Sequence, residues 1–253
     1  MINTIKILYH QGKQYIPDPT KAGVPGRFRG RPEISFEKVD NKTLMDVCPT
    51  GAILEDPVSI DLGRCTFCGE CSRLFPKKIH FTTDYRLSVN ERDTLIISEG
   101  KTDPITLNPD VIRKEIQKVF SGSLKLRQVS AAGDNSCEME LNACGNVNFD
   151  MGRYGIEFVA SPRHADGIVI TGPISKNMAE PLQITYDAIP SPKIIILVGT
   201  DAISGGIFEG SPAINRKFID EHHIDLYIPG NPIHPLTFIN GVLDLLRICP
   251  NPS

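Results

Sequence analysis

Four of the seven cysteines in this 253-residue sequence fall between positions 48 and 71. Cys65, Cys68 and Cys71 form a C-x-x-C-x-x-C triad, and Cys48 stands before Pro49 as a Cys-Pro pair. A tight loop with that spacing turns three thiolates onto one centre while a remote Cys-Pro supplies the fourth corner, which is how thiolates hold a [4Fe-4S] cluster. Structural zinc is the rival chemistry, because four cysteines also suit a tetrahedral zinc ion. Its usual signature is two separated C-x-x-C pairs, not a triad with a distant Cys-Pro. The predicted cofactor is one [4Fe-4S] cluster on Cys48, Cys65, Cys68 and Cys71.

In two-cluster bacterial ferredoxins the fourth Cys of each C-x2-C-x2-C-x3-C-P run ligates the other cluster. Counting back from Cys48 by that spacing, the remaining ligand positions of the first run fall on Lys38, Asn41 and Leu44. Counting forward from Cys71, the fourth position of the second run falls on Phe75. The lost positions are the full set for one cluster and the retained ones the full set for the other. Residues 33–100 therefore resemble a two-cluster ferredoxin reduced to one.

Composition narrows the setting. A net charge of -3 points to neither nucleic acid nor an anionic membrane as partner. The longest apolar run, Ile194 to Val198, is far short of the roughly 20 residues that span a bilayer, and no charged-then-apolar leader opens the chain. The expectation is a cytoplasmic protein without direct membrane insertion, which meets a membrane, if at all, through partner subunits. An odd number of cysteines in a metal-type arrangement fits a reducing compartment.

Four segments are expected to position the cysteines. Residues 1–32 carry Lys6, Lys13, Lys21, Arg27, Arg29 and Arg31 against Asp18, with Pro and Gly scattered among them, and read as an extended basic arm. The basic FRGR tetrad would suit a strap on a partner subunit. Residues 33–100 form the ferredoxin-like α+β unit, its later pieces IHFTTDYRLSV and TLIIS alternating as short strands do. Residues 101–123 hold a connector helix begun by Asn108 and Pro109, with Val111, Ile112, Ile116, Val119 and Phe120 as its apolar stripe. In residues 124–253, apolar runs at LKLRQV, 156–160, 167–171, 193–198 and 225–228 alternate with helix-like stretches at 137–144, 177–188, 211–221 and 234–248. That alternation predicts an α/β, flavodoxin-like three-layer domain with a parallel sheet. Ligands in such sheets gather at the strands' carboxyl ends, here the loops from Ser130, Ser161, Thr171, Gly199 and Pro229.

Those loops carry RQVSAAGDNSCEMEL, RYGIEFVASPRHADGIVITGPISKNM, PKIIILVGTDAISGGIF and DLYIPGNPIHP. In unbroken order they resemble the small subunit of energy-converting, membrane-bound [NiFe] hydrogenases and formate hydrogenlyases, a family related to the complex I subunit that carries the last cluster before quinone. The resemblance covers about the last half of the chain, and the cysteine-rich half resembles the companion iron-sulfur subunit, fused in front. It implies a proximal [4Fe-4S] site whose four ligand positions fall on Asp134, Cys137, Asp201 and Asn231. Only Cys137 is a thiol, so the resemblance implies that this second cluster is absent; a hard or borderline cation on the same residues is the rival reading. It also places Arg163 and His164 of the SPRHAD loop at a subunit interface. Cys144 reads as a packed helix thiol and Cys249 receives no role. The Gly-Gly of GTDAISGG is weak evidence for a phosphate cradle, because no Gly-x-Gly-x-x-Gly or Walker pattern accompanies it.

The function implied is an iron-sulfur electron-transfer subunit of a hydrogenase-like or complex I-like oxidoreductase, without a catalytic site of its own, docking a large subunit. The alternative is a scaffold or redox-sensing subunit with a degenerate proximal site.

Overall fold

The computed structural model describes residues 2–12, 15–120 and 122–247. The arm differs from expectation: Ile2–Gln11 is a helix (α1) whose residues are all exposed. No Pro or Gly interrupts INTIKILYHQ, whereas the breakers begin at Gly12 and recur through Pro32. From residue 15 to 31 the arm has no regular element and is tied to its own chain. Ile16 N–H donates to Asn148 O at 2.9 Å, and Pro19 O accepts from both the Tyr85 hydroxyl and Asn240 Nδ2, each at 2.9 Å.

The cysteine-rich unit follows the order β1 (Pro32–Ile34), α2 (Asn41–Asp46), β2 (Ile53–Leu54), β3 (Ser59–Asp61), α3 (Glu70–Leu74), β4 (Ile79–Phe81) and β5 (Ile96–Ser98). β1 pairs antiparallel with β4, placing Pro32 opposite Phe81, while β2, β3 and β5 form a second antiparallel sheet. Asp40 caps α2 by accepting from Thr43 N–H at 3.0 Å. Of the alternating pieces, only residues 79–81 and 96–98 are strand; Val89 makes one isolated bridge to Tyr227 in the other half.

The connector helix, α4 (Lys114–Phe120), starts later than Asn108. Asn108 Oδ1 accepts from Asp110 N–H at 3.0 Å as an Asx turn, and its backbone N–H is held by Asn90 Oδ1 at 2.8 Å, so it closes a turn ahead of the helix rather than capping it. Ile112, Ile116 and Phe120 are buried as the stripe requires, while Val111 and Val119 face solvent.

The second half contains β6 (Leu124–Ser130), α5 (Ser136–Cys144), β7 (Ile156–Phe158), β8 (Gly167–Thr171), α6 (Lys176–Asp187), β9 (Ile194–Val198), α7 (Thr200–Ser204), α8 (Lys217–Glu221), β10 (Leu226–Ile228) and α9 (Pro235–Leu246). The stretch 211–216, expected as helix, is loop, and the short α7 was not anticipated. The sheet is wholly parallel in the order β10-β9-β8-β6-β7. Counted within the sheet this is 2-1-3-4-5, the flavodoxin-like order. Alternate strand residues feed opposite layers. Val169, Ile194, Ile196 and Val198 pack with Leu141 of α5 and Phe238 of α9. Ile168, Ile170, Ile195 and Leu197 join Leu182 of α6 and Phe218 of α8. That second cluster also contains Ile34, Leu44, Ile60, Ile79 and Ile97, so one apolar core runs continuously from the cysteine-rich unit onto the sheet.

Candidate metal centre

The four predicted cysteines line one cavity, walled by apolar residues that include Ala52, Ile53, Ile60 and Phe81. Cys48 follows α2, Cys65 and Cys68 lie in the loop after β3, and Cys71 sits in the first turn of α3. Asp61 anchors the base of that loop: its Oδ1 accepts from Gly63 N–H at 2.8 Å, and both oxygens accept from Arg92 at 2.8 and 2.6 Å. The loop then passes through two left-handed residues, Phe67 at φ 54° and Gly69 at φ 79°. Glycine adopts such a φ freely, whereas for a phenylalanine it is costly and must be held by its surroundings.

Two backbone amides are directed at sulfur. Phe67 N–H donates to Cys65 Sγ at 3.3 Å and Ala52 N–H to Cys48 Sγ at 3.2 Å. Burial pushes the Cys65 thiol well above its ordinary range, with the Phe67 amide opposing. Burial likewise raises Cys71 to about 11, the Ser72 amide opposes, and the neighbouring Cys68 and Cys48 push it higher. As free thiols these groups hold their protons at neutral pH, and a thiophilic centre would displace them. The donor set therefore fits an iron-sulfur cluster: four soft ligands, an apolar wall and N–H groups directed at sulfur. Among the described residues no group of three or more His, Cys, Asp and Glu side chains is drawn together as a metal site.

The FRGR tetrad turns out to bind its own chain. Arg29 Nε donates to Phe67 O, Arg31 NH1 donates to Asp103 O at 3.2 Å, and Gly30 N–H donates to Thr82 O at 2.8 Å.

A second pocket lies at the carboxyl ends of β6, β8, β9 and β10. Asp134, Cys137, Asp201 and Asn231 all line it, together with Glu138 and Thr200. Asp134 Oδ1 accepts from the Ser136 hydroxyl at 2.6 Å and the Ser136 amide at 2.9 Å, which holds its carboxyl below the usual range. Burial pushes the Cys137 thiol up to about 12, against an amide bond from Ile233. A side chain on Gly199, whose φ is 91°, would place Cβ 2.6 Å from Cys137 Sγ. Burial raises the Asp201 carboxyl, and Asp134 raises it further; its Oδ1 is buried without a hydrogen-bond donor. One thiol among two carboxylates and an amide does not fit a cubane, which is held by thiolates.

The loop from Ser161 contributes nothing to this pocket, and Arg163 and His164 are exposed. Cys144 is fully buried and donates to Glu140 O at 3.3 Å as a packed helix thiol. Cys249 lies outside the described residues. The residue that joins the two pockets is Thr200, which reading the sequence did not single out: its hydroxyl donates to Cys65 O at 2.8 Å. Glu138 was missed as well; it is buried and accepts from Ser130 at 2.5 Å and Thr171 at 2.7 Å.

Residues 135–245 match the family model described as NADH ubiquinone oxidoreductase, 20 Kd subunit. An NADH-quinone oxidoreductase subunit from Heliobacterium modesticaldum is 36% identical over 164 residues, which cover 64% of this chain and 91% of that one. The chain belongs to the NADH ubiquinone oxidoreductase 20 Kd subunit family. A second relative, the probable membrane-bound hydrogenase subunit mbhJ of Pyrococcus furiosus, is 33% identical over 115 residues, covering 46% of this chain and 69% of that one. Among solved structures, that of the membrane-bound sulfane sulfur reductase, an archaeal respiratory membrane complex, aligns with a TM-score of 0.46 at 25% identity over 54% of this chain and 76% of the other. The 20 Kd subunit match begins at Asn135 and so takes in Cys137, Asp201 and Asn231, but none of the four cysteines of the first pocket. Among the described residues no helix is long and apolar enough to cross a membrane.

Proposed function

We propose that this chain is an electron-transfer subunit of a hydrogenase-like or complex I-like assembly, holding one [4Fe-4S] cluster on Cys48, Cys65, Cys68 and Cys71 and none at Asp134, Cys137, Asp201 and Asn231. The observation that carries the reading is the gathering of those four thiols on one apolar cavity with amides directed at sulfur. When bound, such a cluster supplies reversible one-electron transfer. The chain's own residues do the rest: four thiolates bind, Phe67 and Ala52 amides hydrogen-bond to sulfur and tune the potential, and Ile53, Ile60 and Phe81 keep water away.

Zinc is disfavoured by spacing: four-cysteine zinc sites usually present two separated C-x-x-C pairs, and here three cysteines form a C-x-x-C-x-x-C triad. The antiparallel pairing of β1 with β4 and of β2 with β3 supports a ferredoxin-like origin for residues 33–100. Membership of the 20 Kd subunit family, and the relatives named as subunits of membrane-bound and quinone-reducing complexes, support docking to a large subunit, with the chain on the cytoplasmic face of a membrane through its partners.

Iron and acid-labile sulfide counted after anaerobic purification test the reading. About four of each per chain is expected, since one cubane is what the thiolates can hold. Twice that number would show the second pocket filled, and zinc in place of iron would remove the electron-transfer function.

A further inference from the structure

We propose that Arg29 is a positioning residue for the cysteine loop and sets the electron affinity of the cluster held there; this rests on the function proposed above. The Arg29 Nε–H donates to the carbonyl oxygen of Phe67, the residue just before Cys68. Its aliphatic stem lies over Gly69: a Cβ added there would stand 2.9 Å from Arg29 Cδ. The same side chain thus braces both left-handed residues of the loop, Phe67 at φ 54° and Gly69 at φ 79°.

The Phe67 peptide is the link from Arg29 to the ligands. Its carbonyl accepts from Arg29 while its amide donates to Cys65 Sγ at 3.3 Å. Losing the guanidinium frees the carbonyl, relaxes a costly φ and loosens the amide bond to sulfur. A guanidinium also carries a permanent positive charge beside thiolate ligands, and an added electron is stabilised by such a charge. With Arg29 in place both effects act in one direction, making the oxidised state easier to reduce. The neighbours reinforce the placement. Gly30 and Arg31 are pinned to Thr82, Asp84 and Asp103, so the arm holds Arg29 in register with the loop. No hydrogen bond or ion pair from Arg29 to a carboxylate occurs among the described residues, so its charge is not neutralised by one.

The test is a potentiometric titration, followed by EPR, of the anaerobically purified full chain and of its Arg29→Gln and Arg29→Lys variants, each with iron counted. Arg29→Gln is expected to keep about four irons and to bind its electron about threefold less tightly, a midpoint more negative by roughly 30 mV given 59 mV per tenfold for a one-electron couple. Arg29→Lys, which keeps the charge, is expected to recover most of that shift. A Gln variant with full iron and an unchanged midpoint and EPR line shape overturns the inference while leaving the proposed function intact. A wild-type chain without iron overturns the function itself.

Discussion

The hydroxyl of Thr200 donates to the carbonyl oxygen of Cys65 at 2.8 Å, across 135 positions of sequence. Thr200 is fully buried and also reaches Gly230 O at 3.3 Å, so one side chain stitches the cysteine loop to the ends of β9 and β10. Thr200→Val keeps the shape but leaves the Cys65 carbonyl without its donor. A loss of about 1–3 kcal/mol is expected, read from urea unfolding of the anaerobic protein, with Thr200→Ser restoring most of it. An unchanged midpoint would mean that water replaces the hydroxyl.

The two pockets make opposite forecasts for their thiols. Cys68 is exposed at the rim of its cavity, so Cys68→Ala should spare the fold and reduce iron by at least about one per chain. Cys137→Ala in the second pocket should leave the iron count unchanged. Loss of iron from the Cys137 variant, with its fold intact by circular dichroism, would show that the second pocket takes part in holding a cluster.

Arg113, just before α4, meets Asp225 at the start of β10 through two hydrogen bonds of 2.9 Å, and Asp225 also accepts from Ile195 N–H at 2.9 Å. The carboxylate is almost wholly buried, so Arg113→Ala strands a charge. The expected cost is about 3 kcal/mol, the low end for a broken buried pair because a third of the arginine side chain is exposed. Arg113→Met combined with Asp225→Asn should recover part of it, since the double variant leaves no unpaired charge. Calorimetric melting of the single and the double variant decides.

Stability should fall as the solution is acidified below about pH 6.5, in part through His234. Its Nδ1 accepts from Leu236 N–H at 3.2 Å as the cap of α9, and burial lowers its pKa from the ordinary histidine value. Between the depressed folded value and the unfolded value near 6.5, the unfolded chain binds more protons, so stability rises with pH across that window and is lost on going down through it. His234→Asn keeps a capping acceptor without titrating, and should flatten the difference in urea midpoint between pH 7 and pH 5.5. An equal slope in both proteins would assign the pH dependence elsewhere.

The sheet was readable because a strand covered on both faces must be apolar at successive positions, as Ile194 to Val198 is. The four positions Asp134, Cys137, Asp201 and Asn231 came from the resemblance and not from the strand pattern, which marked only the loops at the carboxyl ends of the parallel strands as meeting at one edge. The cysteine pocket was readable from spacing alone. What escaped depends on partners remote in sequence. Asn108 has the chemistry of a cap, yet its side chain closes a turn that Asn90 anchors from 18 positions away, and no local pattern reveals that. Arg29 and Thr200 look like an arm residue and a loop residue until folding brings Phe67 and Cys65 against them. The Arg163 and His164 loop is the converse case, with suggestive residues at a strand end that stay outside the pocket.

The continuity of apolar packing from Ile34 and Leu44 through to Leu197 and Phe218 has a mechanical consequence. Hinged carriers swing a redox group between stations, and swinging needs a polar seam along which two bodies can part. This chain has filled that seam with isoleucine and leucine. The distance from the four thiols to the sheet's edge is thus fixed when the chain folds, and the two halves are expected to move as one body.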